Sequence, residues 1–131
     1  MPIEVDLVSP ERILFSGEAD MVVCRTIDGG EVAFLQDHVP FLAALEIASA
    51  RIKKPDGDYE VAAVHGGFVH VKDNKVVILS DVAEMKDQID EERARRAKDD
   101  ADQRQQKEED DTEAEAALRR AQVRLEVAER S

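Results

Sequence analysis

The chain has 131 residues, a net charge of −12 at pH 7 and one cysteine, Cys24, a length that suits one domain or a smaller domain with an appendage. The acidic charge disfavours nucleic acids and anionic lipid headgroups as partners, because like charges repel. A single cysteine excludes an internal disulfide framework and suits a reducing cytosol. No run of the sequence reaches the roughly 20 apolar residues that a membrane helix needs, so we expect no direct membrane insertion.

Short β-strands separated by turn signals are predicted along the first 84 residues. The first, residues 3–7, alternates apolar and acidic side chains, which is typical of a strand with one buried face. The further predicted strands are residues 12–15, 19–25, 31–35, 48–53, 59–64, 68–71 and 76–79. Gly17 and the segments 28–30, 55–58 and 65–67 are predicted breaks or turns, since glycine allows positive φ without steric cost. About eight to ten short strands at this spacing indicate an all-β sandwich or a flattened barrel.

The composition of the chain changes at Glu84. Every glycine, proline, phenylalanine, tyrosine, histidine and cysteine lies before this residue, and the sequence beyond it is rich in alanine and charged residues that favour helices. We therefore predict an α+β protein, with a β-sandwich domain at residues 1–84 and an antiparallel two-helix hairpin at residues 85–131. The hairpin has few large apolar side chains, so it needs another surface to pack against in order to fold. Elements of such marginal stability are able to move.

The two predicted helices are separated by a polar segment. The first helix is expected to begin near Asp87, whose carboxylate can accept hydrogen bonds from free backbone N–H groups. Residues 98–113 contain a single apolar residue, Ala101, and are predicted to be a frayed helix end, a loop or a hinge. The apolar stripe of the second helix consists of Ala114, Ala117, Leu118, Ala121, Leu125 and Ala128. The part of this stripe from Leu118 to Leu125 is the part suited to docking.

No residue pattern in the chain points to catalysis. His38, His65 and His70 are too scattered to form a metal site, and Cys24 lies within a predicted strand. The sequence contains no nucleophile elbow, phosphate-binding loop, HExxH motif or paired CxxC motif. We therefore predict a protein that is not an enzyme, binds no metal and requires no cofactor.

Three stretches of the sequence resemble a known family. Residues 27–45 read IDGGEVAFLQDHVPFLAAL, residues 64–84 contain HGGFVHV and NKVVILSDVAE, and residues 5–19 read VDLVSPERILFSGEA. In this order and combination they are similar to the signatures of the ε subunits of F-type ATP synthases. The sequence departs from that family where Ala33 replaces a usual glycine and where residues 36–37, Gln-Asp, replace a usual Pro-Gly. These changes are expected to stiffen or reshape the loop near His38.

The resemblance implies a non-catalytic subunit in the central stalk of a proton-translocating ATP synthase. Such a subunit would lie on the cytoplasmic face of a bacterial cell membrane, attached peripherally through the complex. Its sandwich would bind the γ subunit and the membrane c-ring and couple them during ATP synthesis. Its two helices would either fold against the sandwich or extend into the catalytic αβ head, where they would inhibit ATP hydrolysis.

Two sets of site residues follow from the same resemblance. Glu31 and His38 correspond to a loop that faces the c-ring.

Residues 89–94, IDEERA, match the family's ATP-binding pattern. Asp90 and Arg93 are three residues apart and share one helix face, where the carboxylate can meet a base or ribose group and the guanidinium a phosphate. The nucleotide-binding set for a regulatory ATP is Glu84, Ile89, Asp90, Arg93, Ala94, Arg120 and Arg124. Closure of the hairpin would let Arg120 and Arg124, both on the second helix, complete a phosphate clamp.

Other interpretations remain open. The chain can also be read as a free-standing β-sandwich adaptor with a helical oligomerisation tail, and co-purification with a γ subunit and a membrane rotor separates this interpretation from the stalk subunit. An enzyme with a hidden site would require turnover by the purified chain alone, and we expect none. The nucleotide motif has its own alternative, because a helical Asp–Arg pair is often a solvated surface pair.

Overall fold

The computed structural model describes residues 3–107 and 112–129 of the protein. In these residues the chain forms eight strands, one 3₁₀ turn at Lys86–Gln88 and two helices. The strands are β1 (Ile3–Val8), β2 (Ile13–Ala19), β3 (Met21–Thr26), β4 (Gly30–Phe34), β5 (Phe41–Lys53), β6 (Tyr59–Lys72), β7 (Lys75–Leu79) and β8 (Ala83–Met85). The helices are α1 (Glu91–Lys107) and α2 (Thr112–Glu129). The predicted α+β class, a β-sandwich followed by two helices, is confirmed.

The strands form one sheet that folds over on itself. Its order is β2-β1-β7-β6-β5-β3-β4, and β8 pairs with β6. Neighbouring strands are antiparallel except β1 and β7, which are parallel. The long strands β5 and β6, with 13 and 14 residues, belong to both halves of the sheet. Inward-facing side chains from both halves, including Leu7, Val22 and Ile78, pack into one core.

The bend in β6 lies at Gly66 and Gly67. Before the bend Val64 faces the core, and after it Val69 does, so the inward face changes from even to odd residue numbers. The φ angles of the two glycines are 82° and 121°, and a Cβ on Gly67 would lie 2.1 Å from the carbonyl oxygen of Leu79. Glycine is the residue that fits there, and the irregularity lets one strand serve both layers.

Two of the predicted breaks are wrong, because their glycines lie inside strands. The sequence predicts a turn at residues 65–67, but β6 continues through this segment and Gly67 pairs with Leu45. Gly17 likewise lies inside β2, opposite Val5. A glycine in a strand can mark a bend or a close backbone approach instead of an end. As a consequence β6 is longer than the predicted short strands, and β5 is longer because it begins at Phe41, ahead of the predicted residues 48–53.

Helix α1 begins at Glu91, later than the predicted start near Asp87. Asp87 lies in the 3₁₀ turn, and the backbone is then extended at Ile89. The Oδ1 atom of Asp90 accepts a hydrogen bond from the N–H of Arg93 at 3.1 Å, which makes Asp90 the N-cap. The predicted start is wrong because Ile89 packs against the sandwich, and the helix can begin only after that contact.

Helix α1 continues through much of the predicted hinge. Residues 98–107 are helical, so the prediction of a loop does not hold for them, and α2 begins at Thr112. Residues 108–111 of the predicted hinge lie outside the described residues. Alanine, lysine, arginine and glutamine have high helix propensity, and the burial of Ala101 adds one contact that favours the helix here. Whether the segment acts as a hinge stays a prediction.

The helices form an antiparallel hairpin. The guanidinium of Arg95, near the start of α1, lies 3.8 Å from the carboxylate of Glu129 at the end of α2. The buried alanines of the hairpin are Ala94, Ala101, Ala114 and Ala121. Small side chains at these positions allow the two helix backbones to approach closely.

Helix α2 docks on the outer face of β5 and β6 through two valines. Val123 and Val127 are fully buried. The cluster that they form also contains Val61, Ala63, Ile47 and Ile89. Leu118 and Leu125, which bound the predicted docking stripe, are partly buried and do not belong to this cluster, so the valines make the contact with the sandwich instead. The alanine face of α2 packs toward α1, so the sandwich meets the neighbouring valine face.

Candidate functional site

A cleft of about 270 Å³ opens where β8, the start of α1 and helix α2 meet. It is lined by Glu84, Gln88, Asp90, Arg93, Ala94, Ala97 and Arg124. Five of these residues belong to the predicted nucleotide-binding set, so the fold brings together side chains that are up to 40 positions apart. The lining contains two carboxylates and two guanidinium groups, and its formal charges therefore cancel.

The first turns of α1 position the side chains on one wall of the cleft. Asp90 caps the helix through one carboxylate oxygen, and the exposed side chain of Arg93 follows in the first turn. Ala94 is buried and leaves space between the helices. Ala97, which is not part of the predicted nucleotide-binding set, lies four residues after Arg93 and so shares its helix face. Helical spacing alone could have identified Ala97.

Arg124 and Glu84 join α2 to β8 across the cleft. The Nε atom of Arg124 donates to Oε1 of Glu84 at 2.5 Å, and both side chains are 27% exposed. Nε2 of His65 on β6 lies 3.4 Å from the same oxygen, and the His65 side chain is 2% exposed. The hydrogen bond with His65 lowers the pKa of Glu84 to about 2, with Arg124 reinforcing it and burial acting in the opposite direction. The carboxylate is therefore charged at neutral pH.

Ile89 and Arg120 are not among the residues that line the cleft. Ile89 is part of the apolar cluster beneath α2. Arg120 donates from Nη2 to Oε1 of Glu113 at 2.9 Å, within its own helix. Arg124, one turn further along α2, is thus the arginine of the predicted clamp that the fold brings to Glu84 and Arg93.

Sequence reasoning missed Gln88 and the role of His65. Gln88 accepts a hydrogen bond from the N–H of Met85 through Oε1 at 2.9 Å, which closes the 3₁₀ turn at the edge of the cleft. The sequence predicts that His65 lies in a turn, whereas it is a strand residue beside Glu84. No local pattern links His65 to Glu84, because the two meet only through the pairing of β6 with β8.

Cys24 lies in the core of the sandwich, away from the cleft, as a strand residue of β3. Burial raises the pKa of its thiol to about 12, and the charge of Arg51 offsets only part of this effect. The thiol is protonated and shielded at neutral pH. Within residues 3–107 and 112–129, no group of three or more His, Cys, Asp or Glu side chains is arranged to hold a metal ion.

Glu31 and His38 occupy different structural settings. Glu31 lies in strand β4, at the edge of the sheet, and forms an ion pair with Arg51 on β5. His38 lies in the loop after β4, with its ring 5.1 Å from that of Phe34 and 5.9 Å from that of Phe41. The prediction that one loop holds both residues is therefore wrong, since Glu31 is already paired within the sheet.

An exposed apolar row crosses the outer face of the sandwich half that α2 leaves uncovered. Register partners link its members across five strands: Ala44 to Phe68, Phe68 to Leu79, Leu79 to Val8, and Val8 to Ile13. Phe68, Leu79 and Ile13 are 55%, 47% and 64% exposed. Contiguous exposed apolar surface of this kind marks an interaction site more often than isolated apolar residues do. The sequence reasoning did not identify this row.

In the described part of the chain, neither helix combines the length and the apolar character that crossing a membrane requires.

Comparisons with known proteins show the family. Residues 2–86 match the family model described as ATP synthase, Delta/Epsilon chain, beta-sandwich domain. The chain is 42% identical over 128 residues to the ATP synthase epsilon chain of Desulforamulus reducens, with 95% of this chain and 96% of that protein covered. It is 44% identical over 127 residues to the ATP synthase epsilon chain of Streptomyces coelicolor, with 96% and 94% covered.

Solved structures share the fold. A chain of the Euglena gracilis mitochondrial ATP synthase superposes with a TM-score of 0.83 at 24% identity, over 97% of this chain and 81% of that one. A chain of the Tetrahymena thermophila mitochondrial ATP synthase, from a structure of its central stalk and c-ring, gives a TM-score of 0.52 at 18% identity, over 64% and 66%. At these identities the likeness concerns the fold alone.

Proposed function

Because the chain belongs to the family of ATP synthase epsilon chains, which are non-catalytic subunits of the rotary complex, we propose that it couples the γ shaft to the membrane c-ring and restrains ATP hydrolysis through α1 and α2. The ATP synthase is a membrane-bound complex. We assign this subunit to the cytoplasmic face of a bacterial cell membrane, where it is peripheral and held by its partners.

The observation that carries the proposal is the exposed apolar row on the sandwich. The row from Ala44 to Ile13 faces away from the core, and the residues that contact α2 belong to the other half of the sheet. A rigid sheet with an uncovered apolar face suits a shaft-binding module, since burying each large side chain in an interface contributes about 1.5–3 kcal/mol. We therefore propose that this face binds the γ subunit.

Charged substitutions on the row test this assignment. Phe68→Glu combined with Ile13→Glu is expected to reduce co-purification of γ with this subunit at least about tenfold, because two charges would be buried without partners. Tyr59→Glu is the matched control, since Tyr59 is 50% exposed but lies on the other half of the sheet. Equal recovery of γ with the double variant and the control, both folded by circular dichroism, would contradict the docking face.

We assign the c-ring contact to β4 and the loop that follows it. Leu35 and Val39 are exposed in this loop, and the ring of His38 packs between Phe34 and Phe41. His38 would then position the loop, while the carboxylate of Glu31, which stays 55% exposed in its ion pair with Arg51, would remain accessible to the rotor. Val39→Asp is expected to lower proton-driven ATP synthesis in inverted vesicles while leaving γ binding unchanged, and unaltered synthesis would reject the contact.

The way the hairpin is attached supports a regulatory role. Helix α2 contacts the sandwich through Val123, Val127 and a few polar links, of which Arg124 to Glu84 is the shortest. A small interface of this kind has a low free energy of local opening, which suits an element that leaves the sandwich to reach the αβ head. In this structure the hairpin is folded against the sandwich.

We propose that the cleft binds a regulatory ATP that stabilises the folded hairpin. Arg93 and Arg124 offer guanidinium groups from both helices, and Asp90 offers a carboxylate oxygen to a base or ribose group. A ligand that prefers the folded hairpin shifts its population by the difference in affinity between the two states. No other cofactor is required for this role.

Calorimetric titration of the isolated protein with ATP tests the nucleotide site. We expect binding heat that is lost on Arg93→Ala, whereas Arg96→Ala, an arginine on α1 outside the cleft, should bind ATP as the wild type does. Absence of heat at millimolar ATP, or unchanged heat in the Arg93 variant, would reject the site.

The free-standing adaptor remains the second candidate. It requires an oligomerisation surface on the tail, but the buried side chains of α2, including Ala121 and Val123, are used within the chain itself. Light scattering of the purified chain is expected to report a monomer. A stable oligomer that does not recover γ would favour the adaptor over the stalk subunit.

A further inference from the structure

The shortest polar link between the hairpin and the sandwich is the ion pair of Glu84 with Arg124. It joins residues 40 positions apart, one on β8 and one on α2, at 2.5 Å. The helix is also tied to the sandwich by Arg119, whose Nε donates to the backbone oxygen of Ile47 at 3.1 Å. Both bonds have a guanidinium donor, but only the ion pair also has a charged acceptor, so the attraction between opposite charges adds to its hydrogen bond.

We infer that Glu84 is a built-in counter-anion for Arg124, which latches α2 to the sandwich when the cleft contains no phosphate group. This rests on the proposed regulatory movement of the hairpin. The guanidinium fork recognises a carboxylate and a phosphate by the same planar geometry. A phosphate ligand that approaches the same edge of the guanidinium would therefore compete with Glu84 for Arg124.

The charges around the cleft support competition. Glu84 and Asp90 already balance Arg93 and Arg124, and the chain as a whole carries a net charge of −12. An anionic ligand entering such a cleft meets no surplus of positive charge. The protein's own carboxylate is present at a high effective concentration, since β8 fixes it beside the arginine.

His65 is a positioning residue for this latch. Its side chain is almost fully buried, and its Nε2 lies 3.4 Å from the carboxylate oxygen that Arg124 also contacts. The backbone N–H of His65 donates to the carbonyl oxygen of Val82 at 3.0 Å, which holds the strand against the segment leading into β8. The carboxylate is therefore held in one place before the arginine of α2 arrives.

Native-state hydrogen exchange of the full chain, measured without nucleotide, tests the latch. Glu84→Gln is expected to raise the exchange rate of the Val123 and Val127 amides about tenfold, because a hydrogen bond between charged groups is lost. Arg124→Gln should have the same effect. The double variant should exchange no faster than either single one, since both remove one interaction. Amides of β5 serve as the internal reference and should be unchanged in all variants.

Glu113→Gln is the matched control. It removes the ion pair of Arg120 with Glu113, which lies within α2 and does not reach the sandwich. The latch is overturned if the Val123 and Val127 amides of Glu84→Gln exchange at the rate of the wild type or of Glu113→Gln. It is also overturned if the rate increases of Glu84→Gln and Arg124→Gln multiply in the double variant. Because no nucleotide is present, a failed ATP titration would reject the regulatory ATP site while leaving this result intact.

Discussion

At the scale of single residues, Gly67 decides whether the sheet can fold over. Its φ of 121° belongs to a region that side chains disfavour, and the carbonyl oxygen of Leu79 occupies the space of a Cβ. Two separate costs therefore fall on any substitution, one from backbone strain and one from overlap with a neighbouring strand.

Replacing Gly67 by alanine should be among the most damaging small changes in the sandwich. We expect Gly67→Ala to lower the free energy of unfolding by about 3 kcal/mol or more, because strain and steric overlap act together. Gly57→Ala is the control, since Gly57 also has positive φ, 94°, but open space around its Cβ position, and it should cost about 1 kcal/mol. Urea denaturation measures both, and similar losses would exclude the steric contribution.

The ionisation of Glu84 gives the protein a characteristic response to acid. Its pKa is lowered from 4.5 to about 2 in the folded chain. A carboxyl with a lowered pKa stabilises the folded state above its unfolded pKa, and this stabilisation is lost as the pH falls toward the folded value. The stabilisation of the folded state by the Glu84 carboxylate is thus lost between about pH 5 and pH 2.

Glu84→Gln should make stability less dependent on pH within that window. Urea unfolding at pH 6 and pH 3 is expected to show a smaller difference for the variant than for the wild type, because the variant has no proton to bind at this position. Other carboxylates contribute equally to both proteins and cancel in the comparison. An identical difference in the two proteins would contradict the depressed pKa.

At the scale of elements, α2 has two contact faces with different tasks. Its buried alanines, Ala114 and Ala121, pack toward α1, and its valines, Val123 and Val127, pack on β6. A single apolar stripe on a helical wheel does not reveal this division. The partly buried Leu118 and Leu125 lie outside the sandwich contact, although they are the largest apolar side chains of the helix.

The valine face, and not the leucines, should control release of the hairpin. Val127→Ala is expected to weaken docking by about 1–2 kcal/mol through the cavity left against Val61 and Ala63, and to speed tryptic cleavage within α2. Leu125→Ala removes more atoms from a partly exposed position and should have a smaller effect. If trypsin cleaved the Leu125→Ala variant faster than the Val127→Ala variant, the leucine stripe and not the valine face would dock α2.

At the scale of the whole molecule, the sandwich has its own core and two outer faces with different occupants. The main core cluster contains residues up to Met85 and none from the helices. One outer face is covered by α2, and the other carries the exposed apolar row. A body that binds one partner permanently and holds a movable arm on its other side fits the proposed coupling and regulatory roles.

Removal of the hairpin should separate these two roles. A chain ending after Gln88 retains β8 and the 3₁₀ turn, and we expect it to fold, to recover γ and to lose any inhibition of ATP hydrolysis in the assembled complex. The proposed domain boundary near Glu84 predicts this outcome. Hydrolysis rates of the complex with the full and the shortened chain provide the measurement, and equal rates would reject inhibition by the helices.

The sequence by itself determined the class of the fold, its family and the break near Glu84. These features depend on local alternation, helix propensity and recognisable motifs, which involve residues a few positions apart. Only the tertiary structure decided that β6 continues through Gly66 and Gly67, that valines dock α2, and that Arg124 meets Glu84 and His65. Glu84 lies 19 positions from His65 and 40 from Arg124, and such contacts arise from strand pairing and helix placement that no local pattern encodes.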